Sequence, residues 1–169
     1  MKPNFQKLWD HFPDHGKYPH MKDLYTWLGG TAEANINSPG FGEKGNTCAS
    51  RLSVAFNKAG APIGGNLKGI STLSTGDKSR IIYRVSEFRT YLGRVLGTPT
   101  ADITTRYDDA FTGKKGIIAF SVNWQNATGH IALWDGVTYR EPTYDNYGAY
   151  VNSDNPKIKT SRGEFWELA

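Results

Sequence analysis

The sequence holds one cysteine among 169 residues, which excludes an internal disulfide and any C-x-x-C metal or redox motif. It also lacks an apolar run approaching the roughly 18 residues of a membrane-spanning helix, so membrane insertion is not expected. The opening residues, Met1-Lys2-Pro3-Asn4-Phe5-Gln6-Lys7, have no apolar stretch of the kind a secretory signal carries, so export by that general route is not expected. Basic residues form no long block, and aromatics are not interleaved with them as in an RNA-recognition sheet, so nucleic acid is not an expected partner. Gly113 precedes Lys114 and Lys115 without phosphate-loop spacing. His11, His15 and His20 are interrupted by Pro13 and make a poor ligand set, so no metal and no cofactor is expected.

What is present is a glycine-rich and aromatic-rich chain, with 19 glycines, 13% aromatics and a net charge of +4. Its length suits one domain, residues 1–169, with a substantial core. Phe5, Leu8, Trp9 and Phe12 recur at helical spacing up to Pro13, and Met21, Leu24, Tyr25 and Leu28 do so before Gly29-Gly30. The segment from Thr31 to Gly45 reads as an irregular loop, and Ala61 to Lys78 is again rich in Gly, Ser and Thr. Val85, Phe88, Leu92, Val95 and Leu96 mark a further helix stopped near Gly97. The pattern then becomes extended over 116–122, 130–134 and 137–140, with Asp135-Gly136 as a two-residue hairpin turn. Helices followed by an antiparallel sheet indicate an α+β domain.

The cysteine stands where chemistry is favoured. Asn46 or Thr47 can cap a helix that begins at Cys48, buries Leu52, Ala55, Phe56 and Ala59, turns Arg51 and Lys58 towards solvent and stops at Gly60. Unpaired N–H groups and aligned peptide dipoles at a helix start favour thiolate over thiol, and the Cys48 N–H could serve an oxyanion. A buried structural cysteine is the alternative.

A nucleophile needs a base, and His130 opens the strand that leads into Asp135-Gly136. A two-residue turn sets Trp134 opposite Val137 and Leu133 opposite Thr138, and by continuation His130 opposite Glu141. Opposed residues share a face, so this register puts a carboxylate beside the imidazole. Asp145 and then Asp135 are the competing acids if the register slips. Cys48, His130 and an acid are what acyl transfer through a thioester requires.

The chain combines Asn46-Thr47-Cys48 opening a helix, Ile82-Tyr83-Arg84-Val85, Gly113-Lys114-Lys115-Gly116-Ile117-Ile118, Gly129-His130-Ile131-Ala132-Leu133-Trp134-Asp135-Gly136 and Phe165-Trp166-Glu167-Leu168. Together these motifs resemble the type VI secretion amidase effectors of the fourth family, over nearly the whole chain. The resemblance implies a papain-like NlpC/P60-type fold and an antibacterial toxin that hydrolyses peptidoglycan stem peptides between γ-D-glutamate and meso-diaminopimelate. Cys48 would be the nucleophile and His130 the general base. In the family an aspartate stands eleven residues after the histidine; that position here is Glu141, one methylene longer. Some relatives carry further cysteines near their C-terminus that can pair; this chain has none.

The resemblance further implies a dedicated immunity protein as inhibitor. The type VI apparatus would carry the chain out of the producing cytoplasm without a signal peptide, for action in the periplasm of a target cell. A mildly basic surface suits a carboxylate-rich substrate. Trp124, just before the Gly129-His130 strand, could wall the substrate cleft or simply pack in the core. Two other functions fit the same residues. One is a papain-like acyltransferase or transpeptidase using the same triad; the other is a non-catalytic wall- or partner-binding module in which Cys48 is only buried.

Overall fold

The computed structural model describes residues 2–38, 46–123 and 129–169. By its contacts the chain divides into two compact units, Gln6–Phe88 and Arg89–Ala169, the second joined by the N-terminal residues up to Phe5. Each has its own apolar cluster.

The first unit is mainly helical. Leu8 and Phe12 are buried on and just beyond α1, Phe5–His11, whose first residue belongs to the second unit; the helix ends before Pro13 because proline cannot donate to the helical ladder. Helix α2, Met21–Leu28, buries Met21, Leu24 and Tyr25, the i, i+3, i+4 stripe that its sequence carries. Gly29 (φ 72°) turns the chain directly into a short α3, Gly30–Ala34, so the first residues of the expected 31–45 loop are helical. The rest of that expectation, 39–45, lies outside the described residues. Helix α4, Cys48–Lys58, follows, and strands β1, Thr72–Ser74, and β2, Arg80–Ile82, pair antiparallel. Met21, Leu24, Tyr25, Ala32, Val54 and Ile81 close one core cluster from α2, α3, α4 and β2.

The division falls within α5, Val85–Leu96. The second unit is built on a four-stranded antiparallel sheet. Its strands are β3, Ala101–Ile103; β4, Gly116–Val122; β5, Gly129–Trp134; and β6, Thr160–Glu167, in the order β3-β6-β4-β5. Strand β4 reads as an unbroken apolar run because both of its faces are covered, Ile117, Ile118, Ala119 and Phe120 all having 0% exposure. On one face Ile118, Phe120, Ala132, Trp134 and Phe165 pack with Tyr107 and Phe111 of α6, Tyr107–Phe111. The β4 and β5 expectations hold to within a residue.

Two features of the sheet depart from expectation. Strand β6 carries Thr160, Arg162 and Glu164 in alternation with Ser161, Gly163 and Phe165, so no apolar periodicity marks it, although it lies between β3 and β4. Its Gly163 is the side-chain-free position that the Tyr107 ring requires, since a Cβ there would meet that ring at 2.6 Å. The expected strand 137–140 is instead the far side of a wider turn. Trp134 bridges Tyr139 rather than Val137, the Asp135 N–H donates to the Thr138 carbonyl at 3.1 Å, and Asp135 Oδ1 accepts from Val137 N (2.9 Å) and Thr138 N (2.8 Å). An aspartate that bonds the backbone two and three residues on builds its own turn, and this outcompetes the tight Asp-Gly hairpin.

Candidate active site

Helix α4 begins where Asn46 Oδ1 accepts the Cys48 backbone N–H at 3.1 Å. Asn46 is therefore the residue whose side chain satisfies the helix start. Thr47 supplies the first carbonyl acceptor, to Arg51 N at 2.9 Å, while its hydroxyl takes Arg51 Nε at 2.8 Å. The Cys48 N–H that the sequence offered to an oxyanion is thus engaged by Asn46. At the other end Gly60 (φ 81°) is the expected left-handed stop, and Ala61 N closes onto the Phe56 carbonyl at 3.0 Å.

Cys48 is buried, at 5% exposure, and the turn that bears it is fastened by polar contacts. Arg51, expected towards solvent, is 1% exposed; its guanidinium donates to the Pro13 carbonyl at 2.9 Å and the Tyr18 carbonyl at 2.7 Å. A planar fork of five donors reaches several carbonyl acceptors at once, which makes burial of this cation tolerable. Ser50 Oγ bonds the Tyr25 hydroxyl at 2.8 Å. Ser53 Oγ donates to the Ala49 carbonyl at 2.8 Å and accepts Ile82 N at 2.9 Å, tying α4 to β2. Burial is the main reason that the Tyr25 hydroxyl is pushed up to about 12, the Ser50 bond acting in the opposite direction.

His130 lies on β5 opposite Phe120. The residue before it must be glycine: Gly129 has φ 145°, and a Cβ there would sit 1.7 Å from the Phe120 carbonyl oxygen. The imidazole is buried, and its Nε2 lies 2.7 Å from Asp145 Oδ1. Asp145 ends α7, Pro142–Asp145, and its Oδ2 accepts Glu141 N at 2.9 Å. Tyr147 stacks on the imidazole face, with centroids 4.4 Å apart and planes at 15°, while its N–H donates to the Asp145 carbonyl at 2.7 Å. The imidazole is therefore bonded at its edge by Asp145 and covered on a face by Tyr147.

The register that pointed to Glu141 is not the one formed. With Trp134 bridging Tyr139, the strand pairing no longer sets His130 opposite Glu141. Glu141 is buried at the N-cap of α7, where its carbonyl accepts Tyr144 N and Asp145 N, and Pro142 at the first helical position suits that turn. Asp135 is committed to its own turn. Asp145, the second of the candidate acids, places a carboxylate oxygen on the ring, and Tyr147 had no signal in the sequence beyond its aromaticity. Trp124 lies outside the described residues. Nearby, burial first and then contact with Asp108 raise the Tyr139 hydroxyl well above its ordinary range, with the Asp145 charge acting in the same direction.

Residues 45–166 match the family model described as type VI secretion system amidase effector protein 4, Tae4. Among solved structures, the chain is similar to the effector Tae4 from Salmonella typhimurium, determined in complex with the immunity protein Tai4 from Enterobacter cloacae. The identity is 28% over 99% of this chain and 100% of that one, with a TM-score of 0.84. It is similar also to Tae4 from Enterobacter cloacae in its complex with Tai4, at 29% identity over 100% of both chains and a TM-score of 0.82. Tae4 from Enterobacter cloacae solved by itself gives 28% identity, 100% and 98% coverage and a TM-score of 0.81. A search of curated proteins found no match. The mixed α and β architecture with antiparallel sheets is the one these effectors share, and the chain belongs to the type VI secretion system amidase effector 4 family.

Proposed function

We propose that this amidase effector is a cysteine hydrolase of peptidoglycan, acting on stem peptides at the bond between γ-D-glutamate and meso-diaminopimelate. Cys48 is its nucleophile, His130 its general base and Asp145 the acid that orients the base. The observation that carries this is the 2.7 Å contact of Asp145 Oδ1 with His130 Nε2, in a family of amidases whose chain here has one thiol, at a helix start. The residues act as one catalytic domain, 1–169, of the papain-like NlpC/P60 type.

An ionised carboxylate can only accept, so in neutral His130 the proton sits on Nε2 and Nδ1 bears the lone pair. Nδ1 takes the Cys48 proton, and the thiolate sulfur bonds the carbonyl carbon of the γ-glutamyl amide. Collapse of the tetrahedral adduct breaks the C–N bond, and the imidazolium returns its proton to the leaving amine. His130 then deprotonates a water that attacks the thioester; the C–S bond breaks, giving a carboxylate and the free thiol. Asp145 supports the imidazolium in both half-reactions without itself taking the proton.

The solved complexes of similar effectors with Tai4 support a dedicated immunity protein as this chain's inhibitor. The family supports delivery by the type VI apparatus to the periplasm of a target cell. No helix among the described residues is long and apolar enough to cross a membrane. Digestion of purified peptidoglycan by wild type and Cys48→Ala, with mass analysis of the muropeptides, tests the proposal. New γ-D-glutamyl carboxylates from the wild type alone are expected. Cleavage that survives Cys48→Ala sinks the mechanism, and products carrying a transferred amine in place of water would move the chain to the acyltransferase reading.

A further inference from the structure

The first unit contains a groove that the chemistry of Cys48 does not use. It has a volume of about 440 Å³, within the range of small-ligand sites, and it lies at the far end of α4 from the thiol. Trp27 stands in it 44% exposed, an unusual position for an indole. Tyr18 stacks on that ring at 4.4 Å and 19°, and Lys58 Nζ lies 5.5 Å from the ring centroid. Across the groove, the turn between β1 and β2 presents Asp77 and Ser79. Thr75 Oγ1 and Ser79 N donate to Asp77 Oδ1 at 2.5 and 3.0 Å, and these bonds, led by that of Thr75, hold the Asp77 carboxyl ionised to about 2.

The walls are already in place. Gly76 N donates to the Leu28 carbonyl at 2.7 Å, and Ser74 N to Thr31 Oγ1 at 2.7 Å. A Cβ on Gly30 would meet the Thr75 backbone at 2.6 Å, so the β1 and β2 turn lies against the α2 to α3 corner with no side chain between. A preorganised groove has little ordering cost when a ligand enters.

We propose that this groove binds the N-acetylated amino-sugar strand of the wall polymer, a class of ligand that rests on the peptidoglycan reading above. With Tyr18 stacked on one face of the indole, the apolar C–H face of a sugar ring would meet the other, displacing the flexible Lys58 side chain whose ammonium lies over the ring. One ammonium and one carboxylate facing the same space supply a donor and an acceptor with no net charge, which matches hydroxyl and acetamido groups and not an ion of either sign. The spacing also agrees. Ten residues of α4 separate Cys48 from Lys58, about 15 Å at the helical rise. The stem between sugar and scissile bond is a lactyl, an alanyl and a γ-linked glutamyl unit, which extended spans roughly 10 Å or more.

The test is equilibrium binding of the neutral, peptide-free amino-sugar disaccharide N,N′-diacetylchitobiose to the full chain, followed by ligand-observed NMR and by Trp fluorescence. Wild type should bind it saturably at millimolar concentrations or below; Trp27→Ala should weaken binding about tenfold or more, and Lys58→Met and Asp77→Asn, at exposed positions, should each weaken it less. No saturable binding by wild type overturns the proposal. So does binding that all three variants, each with wild-type circular dichroism, leave unchanged. The probe contains no amide for Cys48 to cleave at the stem, so the result is independent of hydrolysis: a chain that binds the disaccharide but releases no muropeptide keeps this site and loses the proposed reaction.

Discussion

The turn that carries Cys48 and the strand that carries His130 are held by different means. Around Cys48 the fastening is dense and polar: Ser50, Arg51 and Ser53 reach backbone carbonyls, a tyrosine hydroxyl and a strand N–H from within about one helical turn. Around His130 the fastening includes a carboxylate at the ring edge, from Asp145, and a phenol on its face, from Tyr147. A nucleophile on a helix inherits its position from the helix. A strand fixes the Cα of the proposed base through the ladder, and its ring is met by Asp145 at the end of α7 and Tyr147 just beyond it.

That contrast can be broken most forcefully at Arg51. Arg51→Ala leaves the Pro13 and Tyr18 carbonyls and the Thr47 hydroxyl short of a donor and opens a cavity, so we expect a loss of about 3–5 kcal/mol in urea-unfolding stability. Arg51→Lys should recover only part of this, because an ammonium lacks the planar fork. If Arg51→Ala unfolds within about 1 kcal/mol of wild type, the polar fastening of the Cys48 turn is not what holds it.

The buried hydroxyls of the two regions give a smaller effect with a defined sign. Tyr25 titrates near 10 in the unfolded chain and at about 12 when folded, so its contribution is complete below pH 10 and is lost as pH rises towards 12. Tyr139 shifts in the same direction. Urea midpoints measured at pH 8 and pH 11.5 should therefore fall, by an amount equivalent to about 2 kcal/mol from Tyr25. Tyr25→Phe should flatten that part of the slope, and an unchanged slope would remove Tyr25 from the account.

The face of His130, the proposed base, offers the mildest test. Tyr147→Leu should lower kcat roughly tenfold with KM little changed, as expected when orientation in the transition state is loosened. Tyr147→Phe, which keeps the ring, should restore most of the rate. Equal losses in both variants would assign the effect to the phenol hydroxyl and not to stacking over His130.

Much of this was legible in the sequence because apolar periodicity reports burial. The stripes of Met21, Leu24 and Tyr25, of Leu52, Ala55 and Phe56, and the apolar run of β4 each mark an element found close to its expected bounds. Arg51 was misplaced because a helical pattern shows which positions face inward but not which polar side chain finds enough acceptors there. Strand β6 escaped because Arg162 and Glu164 interrupt its alternation; Arg162 reaches Asp102 of β3 with bonds of 2.7 and 2.6 Å. Asp145 stood second to Glu141 among the candidate acids for a related reason. Asp135 could build either a tight hairpin or a wider turn, and its own side-chain bonds selected the second. One choice of turn undid the register that set Glu141 opposite His130, and the contact of Asp145 with the imidazole is one that no strand pattern records.

The pairing of His130 with Asp145 is therefore where the mechanism stands or falls, and muropeptide release by Asp145→Asn and Glu141→Gln, measured as kcat beside the alkylation rate of Cys48 by iodoacetamide, tests it. Asp145→Asn should lower kcat by about 10²–10⁴ and slow alkylation near neutral pH, with folding retained, whereas Glu141→Gln should stay within about tenfold of wild type. Full activity in Asp145→Asn with a collapse in Glu141→Gln would contradict the account and return the third role to Glu141.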